Sequence, residues 1–138
     1  DGMGTMTFGM QDLISTRDLL RVGEFMLQQG RWDGQQVIPA SWFDYMKTPV
    51  SAMMREENKL KKPYGAGIWL NHIEPYGKIL PSLPEDAFLG LGMRGQYVIV
   101  IPSQELVIVR SGTTLDLDSF DYLYDIDQFS AVVVNQLN

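Results

Sequence analysis

Residues 87–110 read "AFLGLGMRGQYVIVIPSQELVIVR". Two runs rich in β-branched residues, "YVIVI" and "ELVIVR", flank a short "PSQ" turn. Side chains of that type favour a pleated, buried surface, so the stretch reads as a β-hairpin over about 87–101 and 105–111. The first run is fed by "GLGMRGQ", with glycines at 90, 92 and 95. Glycine costs conformational entropy in a strand and suits places where a backbone must approach another group closely or take a positive φ. The bland account is a bulge or wide turn at a sheet edge. The functional account is a turn whose backbone N–H points at a developing oxyanion.

Outward from the hairpin, "STRDLLRVGEFMLQQG" (15–30) carries the strongest helix signal. Ser15 or Thr16 can cap it, Asp18 sits in the first turn, and Leu19, Val22 and Met26 recur at helical spacing. Gly30 can close it as a C′ residue. Asp33-Gly34 is a two-residue turn between short extended pieces. Pro39 can open a second helix, "PASWFDYMK". "YGAGIWLN" (64–71) reads as a strand whose two glycines suggest a bulge or a close backbone approach, and the proline-bearing "HIEPYGKILPSLPED" (72–86) reads as loop. "DIDQFSAVVVNQLN" closes the chain as a helix presenting Ile126, Phe129, Val133 and Leu137. Strands in succession with helices around them imply an α+β fold: an antiparallel sheet of about three strands with flanking helices.

The bulk properties exclude several classes. The chain has 138 residues, 45% hydrophobic and 20% charged, which suits one globular domain rather than a disordered segment. A net charge of −6 argues against nucleic acid, whose phosphates it would repel. No apolar run approaches a membrane span. With no cysteine there is neither a disulfide nor a thiolate metal site, and no cofactor is expected. The opening "DGMGTMTFGM" has neither the basic nor the apolar region of a signal peptide, and we expect the chain to start inside a longer protein.

Candidate chemistry is sparse. The single histidine, His72, reads as a surface or satisfied residue. The acidic run Asp116, Asp118, Asp121, Asp125, Asp127 lacks the Gly and Glu of a calcium loop, since those places hold Asp121 and Asp127. It reads as a solvated loop that adds first-turn charge to the last helix. No serine has Lys three residues later, and none lies in Gly-x-Ser-x-Gly.

Taken in order, Ser15 to Gly23, Gly30 to Pro39, "YGAGIWLN", Gly92 to Gln96, and Leu106 to Arg110 resemble the C-terminal part of the serine β-lactamase-like superfamily. Its nearest branches would be the class C β-lactamases, esterases and 6-aminohexanoate-oligomer hydrolases. The resemblance covers about residues 12–112. It implies a partial β-lactamase/transpeptidase-like fold, with 1–138 a single C-terminal fragment, 12–48 its helical portion and 64–138 its sheet and last helix. It also implies a serine hydrolase that acts on an amide or ester through an acyl-enzyme.

The family's Ser-x-x-Lys helix and Tyr-x-Asn loop have no counterpart here, so the nucleophile would lie outside the chain and the isolated chain would be inactive. Only the third motif maps, onto Gly92-Met93-Arg94-Gly95. The backbone N–H of Met93 would be an oxyanion donor, and Gly92, Arg94 and Gly95 would meet substrate. Met93 stands where His or Lys is usual, and its side chain cannot move a proton. The resemblance favours a periplasmic or secreted parent. Expected partners are the missing N-terminal half, or a second copy through an exposed sheet edge, with a small amide or ester as the parent's substrate. The alternative is a non-catalytic binding or assembly module derived from the same fold.

Overall fold

The computed structural model describes residues 14–50, 64–75, 77–92, 95–112 and 122–137. Its organising element is β7 (Gln96–Ile101), a run with five consecutive apolar side chains. Successive residues of a strand face opposite sides, so such a run needs cover on both. Tyr97, Ile99 and Ile101 join one hydrophobic cluster and Val100 joins another. Burying an Ile or Leu fully contributes about 2 kcal/mol, which makes β7 the costliest strand to expose.

β7 pairs antiparallel with β8 (Leu106–Arg110), with Ile99 opposite Ile108. The link is a 3-10 turn, Pro102–Gln104, closed by Glu105 in the left-handed region at φ 49°. The expected hairpin is therefore present. On its other side β7 pairs with β6 (Phe88–Gly92), with Gly92 opposite Gln96. The stretch 87–101 is thus two strands that fold back at the glycines, not one. β6 pairs in turn with β3 (Trp69–Leu70), giving a four-stranded antiparallel sheet ordered β3-β6-β7-β8. The fold is α+β as expected, with four strands in the main sheet because the glycine turn splits one.

Helices cover both faces. α1 (Thr16–Leu27) is capped by Ser15, whose Oγ accepts from the Asp18 N–H at 3.1 Å. It lies on β7 and β8, and its Met26 and Leu27 pack on the cluster of Ile68, Leu70, Ile73, Phe88 and Val100. The close approach rests on Gly23: a Cβ there would overlap Val107 and come within 3.0 Å of Val98 Cγ2. α1 ends with Gln28 as C-cap and Gln29 at φ 50°, so Gln29 rather than Gly30 takes the C′ place. Gly30 follows at φ 82°, seated against Ile38 and Phe43.

The short ribbon β1 (Arg31–Trp32) and β2 (Gln35–Gln36) turns at Asp33-Gly34, both with positive φ, as that dipeptide leads one to expect. α2 (Ala40–Met46) has Pro39 as its N-cap and buries Phe43 edge-on to Phe25.

α3 (Tyr122–Leu137) covers the other face. Ile126 and Val134 enter the cluster with Leu89, Tyr97, Ile99 and Ile108. The buried stripe is Ile126, Ser130, Val134, while Phe129 and Leu137 are exposed. Ser130 tolerates burial because its hydroxyl donates to the Ile126 carbonyl at 2.6 Å.

The segment read as loop contains a second ribbon, β4 (His72–Ile73) with β5 (Gly77–Lys78). Its organiser is Asn71, fully buried, whose side chain bonds Leu80, Leu83 and Pro84.

Candidate functional site at the β6–β7 turn

The expected site lies where β6 hands over to β7. Met93 and Arg94 fall outside the described residues, whereas Gly92, Gly95 and the base of the turn are described. Each glycine has a physical reason to be there. A Cβ on Gly90 would sit 2.7 Å from Val98 Cγ1, and one on Gly92 would sit 2.9 Å from Gln96 Cβ, in both cases the residue directly across the ladder. Gly95 takes φ 86°, a region that L-residues with side chains avoid. Gly90 is thus explained by cross-strand packing and Gly95 by turn geometry. Gly92 is exposed at the strand end.

The base of the turn is braced from two directions. Arg110, the last residue of β8, donates from Nη1 to the Gly95 carbonyl at 2.6 Å. Its guanidinium lies 5.3 Å from the centroid of the Tyr97 ring. Tyr97 is buried, and its hydroxyl donates to Asp125 Oδ2 at 2.7 Å, in the first turn of α3. From the other side, the Gln96 amide bonds both the Gly112 carbonyl and the Gly112 N–H, the latter at 3.1 Å. Beside it, the hydroxyls of Thr16 and Ser111 pair, tying the start of α1 to the end of β8. One end of the sheet thus gathers the β6–β7 turn, the end of β8 and the N-terminus of α1.

The other candidate residues lie elsewhere. His72 is in β4, flanked by Glu74 Oε1 at 3.5 Å from Nε2 and Glu85 Oε2 at 3.4 Å from Nδ1. The β3–β6 register sets Leu70 opposite Phe88, so the chain at His72 runs away from Gly92. At about 3.4 Å per residue the two are separated by roughly 20 Å along the strands. The two glutamates approach opposite ring nitrogens, so they do not focus with the histidine on one point as metal ligands would.

Several serines have structural partners: Ser15 caps α1, Ser82 bonds Asp127, Ser103 bonds Asp86, and Ser130 bonds its own helix. Of the acidic run, Asp116, Asp118 and Asp121 lie outside the described residues, while Asp125 and Asp127 are engaged by Tyr97 and Ser82. Among the described residues no group of three His, Asp or Glu could hold a metal, and no helix is long and apolar enough to cross a membrane.

The chain superposes on a Bacillus anthracis protein named as a 6-aminohexanoate-dimer hydrolase, with a TM-score of 0.55 over 88% of its length and 22% identity. The fold is β-lactamase-like. The chain spans 29% of that solved structure. It is also 28% identical over 131 residues to an uncharacterized protein of Alkalihalophilus pseudofirmus, covering 93% of this chain and 38% of the relative. No family model matches the sequence.

Two features of the site escaped sequence reading. Arg110 and Tyr97 are ordinary strand residues until the register sets them opposite each other. Asp125 reads as a helix-terminal charge, and nothing in its spacing points to Tyr97.

Proposed function

We propose that this chain is the C-terminal portion of a serine hydrolase that cleaves an amide or ester through an acyl-enzyme, with the nucleophile supplied from outside these residues. The carrying observation is the superposition on a protein named as a 6-aminohexanoate-dimer hydrolase, of which the chain covers 29%. That name describes hydrolysis of an amide, and the amide class is carried over here as part of the proposal.

In the proposed reaction a serine Oγ attacks the acyl carbon, and the amine or alcohol departs with a proton. Water then cleaves the acyl-serine. The backbone N–H of Met93 serves as one oxyanion donor, Arg94 faces a substrate carboxylate, and Gly92 and Gly95 keep the approach free of side chains. One such donor contributes about 3 kcal/mol to the transition state, so alone it yields no useful turnover.

The remainder of the parent, or failing it a second copy of this chain, is the proposed partner. β8 ends the described sheet with no strand on its outer side. Trp32 on β1, Val37 just after β2, and Trp42 and Tyr45 on α2 are exposed. Unpaired edges and grouped apolar side chains of this kind favour association.

The test is hydrolysis of an activated ester by the isolated chain and by the full-length gene product. The proposal expects turnover from the gene product and none from the chain. Turnover by the pure chain, or none by the gene product, overturns it.

A further inference from the structure

We propose that Arg110 is a positioning residue for the β6–β7 turn, holding its backbone from the neighbouring strand. The catalytic consequence rests on the function proposed above; the hold itself does not.

An arginine near the surface usually finds a carboxylate or solvent, as Arg21 of α1 does with Asp18 at 2.9 Å. Arg110 is half-buried, and among the described residues it forms no ion pair. Its donor is instead directed at a backbone carbonyl, Gly95, at 2.6 Å. A charged donor on a neutral carbonyl makes a shorter and stronger bond than a neutral one. The guanidinium also lies over the Tyr97 ring, 5.3 Å from its centroid, a cation–π contact that strengthens as water is excluded.

Tyr97 cannot turn away, because it is fully buried and its hydroxyl is held by Asp125 of α3. The line Asp125–Tyr97–Arg110–Gly95 therefore connects a helix on one face of the sheet to the peptide that leaves the turn. Gly95 needs such a hold. At φ 86° it has the widest conformational choice of any residue type, and the Gly95 carbonyl belongs to the same peptide unit as the Gln96 N–H that starts β7. Lysine would not substitute fully, since a point-charge ammonium lacks the fork of donors that lets the guanidinium bond Gly95 while lying over Tyr97.

The experiment uses the full-length gene product with Arg110→Ala, Arg110→Lys and Tyr97→Phe, read by peptide hydrogen exchange and by kcat and KM on an activated ester. In Arg110→Ala, exchange in the peptide spanning 92–96 quickens while β7 beyond Val98 and α3 keep wild-type rates. In the same variant kcat falls by about tenfold to a hundredfold, as loss of preorganised geometry does. KM stays within about twofold, since binding is not the function removed. Arg110→Lys recovers part of both effects, and Tyr97→Phe shows a weaker version of them.

Unchanged exchange at 92–96 in Arg110→Ala overturns the proposal. So does a rise spread evenly over the sheet, which would mark a general packing role. A gene product that hydrolyses no ester refutes the proposed function instead, and the exchange pattern then decides the role of Arg110 by itself.

Discussion

Asn71 and Leu80 bond each other reciprocally: the Leu80 N–H donates to Asn71 Oδ1 at 2.8 Å, and Asn71 Nδ2 donates to the Leu80 carbonyl at 3.2 Å. A side chain here does what a strand would do. The same Nδ2 reaches the carbonyls of Leu83 and Pro84, and the backbone of Asn71 bonds Ala87 and Ile79. Lys78 Nζ also donates to the Leu83 carbonyl, so several donors converge on this loop.

Replacing Asn71 by Ala should destabilise the chain by about 3 kcal/mol, since buried carbonyls and the Leu80 N–H lose partners that water cannot replace. Urea unfolding monitored by tryptophan fluorescence measures it. A loss within error of zero would mean that the loop is held without Asn71, by contacts such as those of Lys78.

Gly23→Ala is expected to destabilise despite alanine's better helix propensity, worth about 1 kcal/mol in its favour. The added methyl overlaps Val107, and overpacking of a close interface costs about 1–3 kcal/mol. The double variant Gly23→Ala, Val107→Ala should be less destabilised than the two single effects added together. Simple additivity of the two would contradict the close packing of α1 on β8.

Asp18 titrates below its ordinary value, chiefly because Ser15 donates to its carboxylate at 2.6 Å and also because Arg21 lies beside it. A depressed carboxyl favours the folded state above the unfolded value of about 3.9, and that contribution is lost as pH falls through the lower folded value. Ser15→Ala should raise the Asp18 pKa, as followed by its carboxyl carbon shift in an NMR titration. No rise would assign the shift to Arg21 instead.

The isolated chain should self-associate with increasing concentration, through the outer edge of β8 or the exposed aromatic side chains of α2. Sedimentation velocity over a concentration series reads this directly. A clean monomer throughout would count against an uncovered edge and against the partner proposed above.

Much of the fold was legible because two signals were strong. "YVIVI" and "ELVIVR" read as paired strands, and "STRDLLRVGEFML" carried both a cap and a helical stripe. What stayed hidden depended on long-range contacts. In α3, Phe129, Ser130, Val132, Val133 and Val134 offer more than one apolar stripe, and periodicity alone favoured Phe129 and Leu137. The buried stripe includes Ser130, whose hydroxyl is satisfied within the helix. The ribbon at His72–Lys78 lay behind prolines, and its organiser, Asn71, looked like a strand-end residue.

At the candidate site the glycines were visible but their separate reasons were not. Val98 crowds Gly90, Gln96 crowds Gly92, and only the register identifies those neighbours. Arg110 had no legible role until the fold brought it to Gly95.

The most direct measurement is to treat the full-length gene product with an acylating serine probe and to map the modified residue by mass spectrometry. The account predicts one labelled serine, outside these 138 residues and in a Ser-x-x-Lys sequence. A label on a serine within them, or no label on an intact and folded gene product, would contradict it.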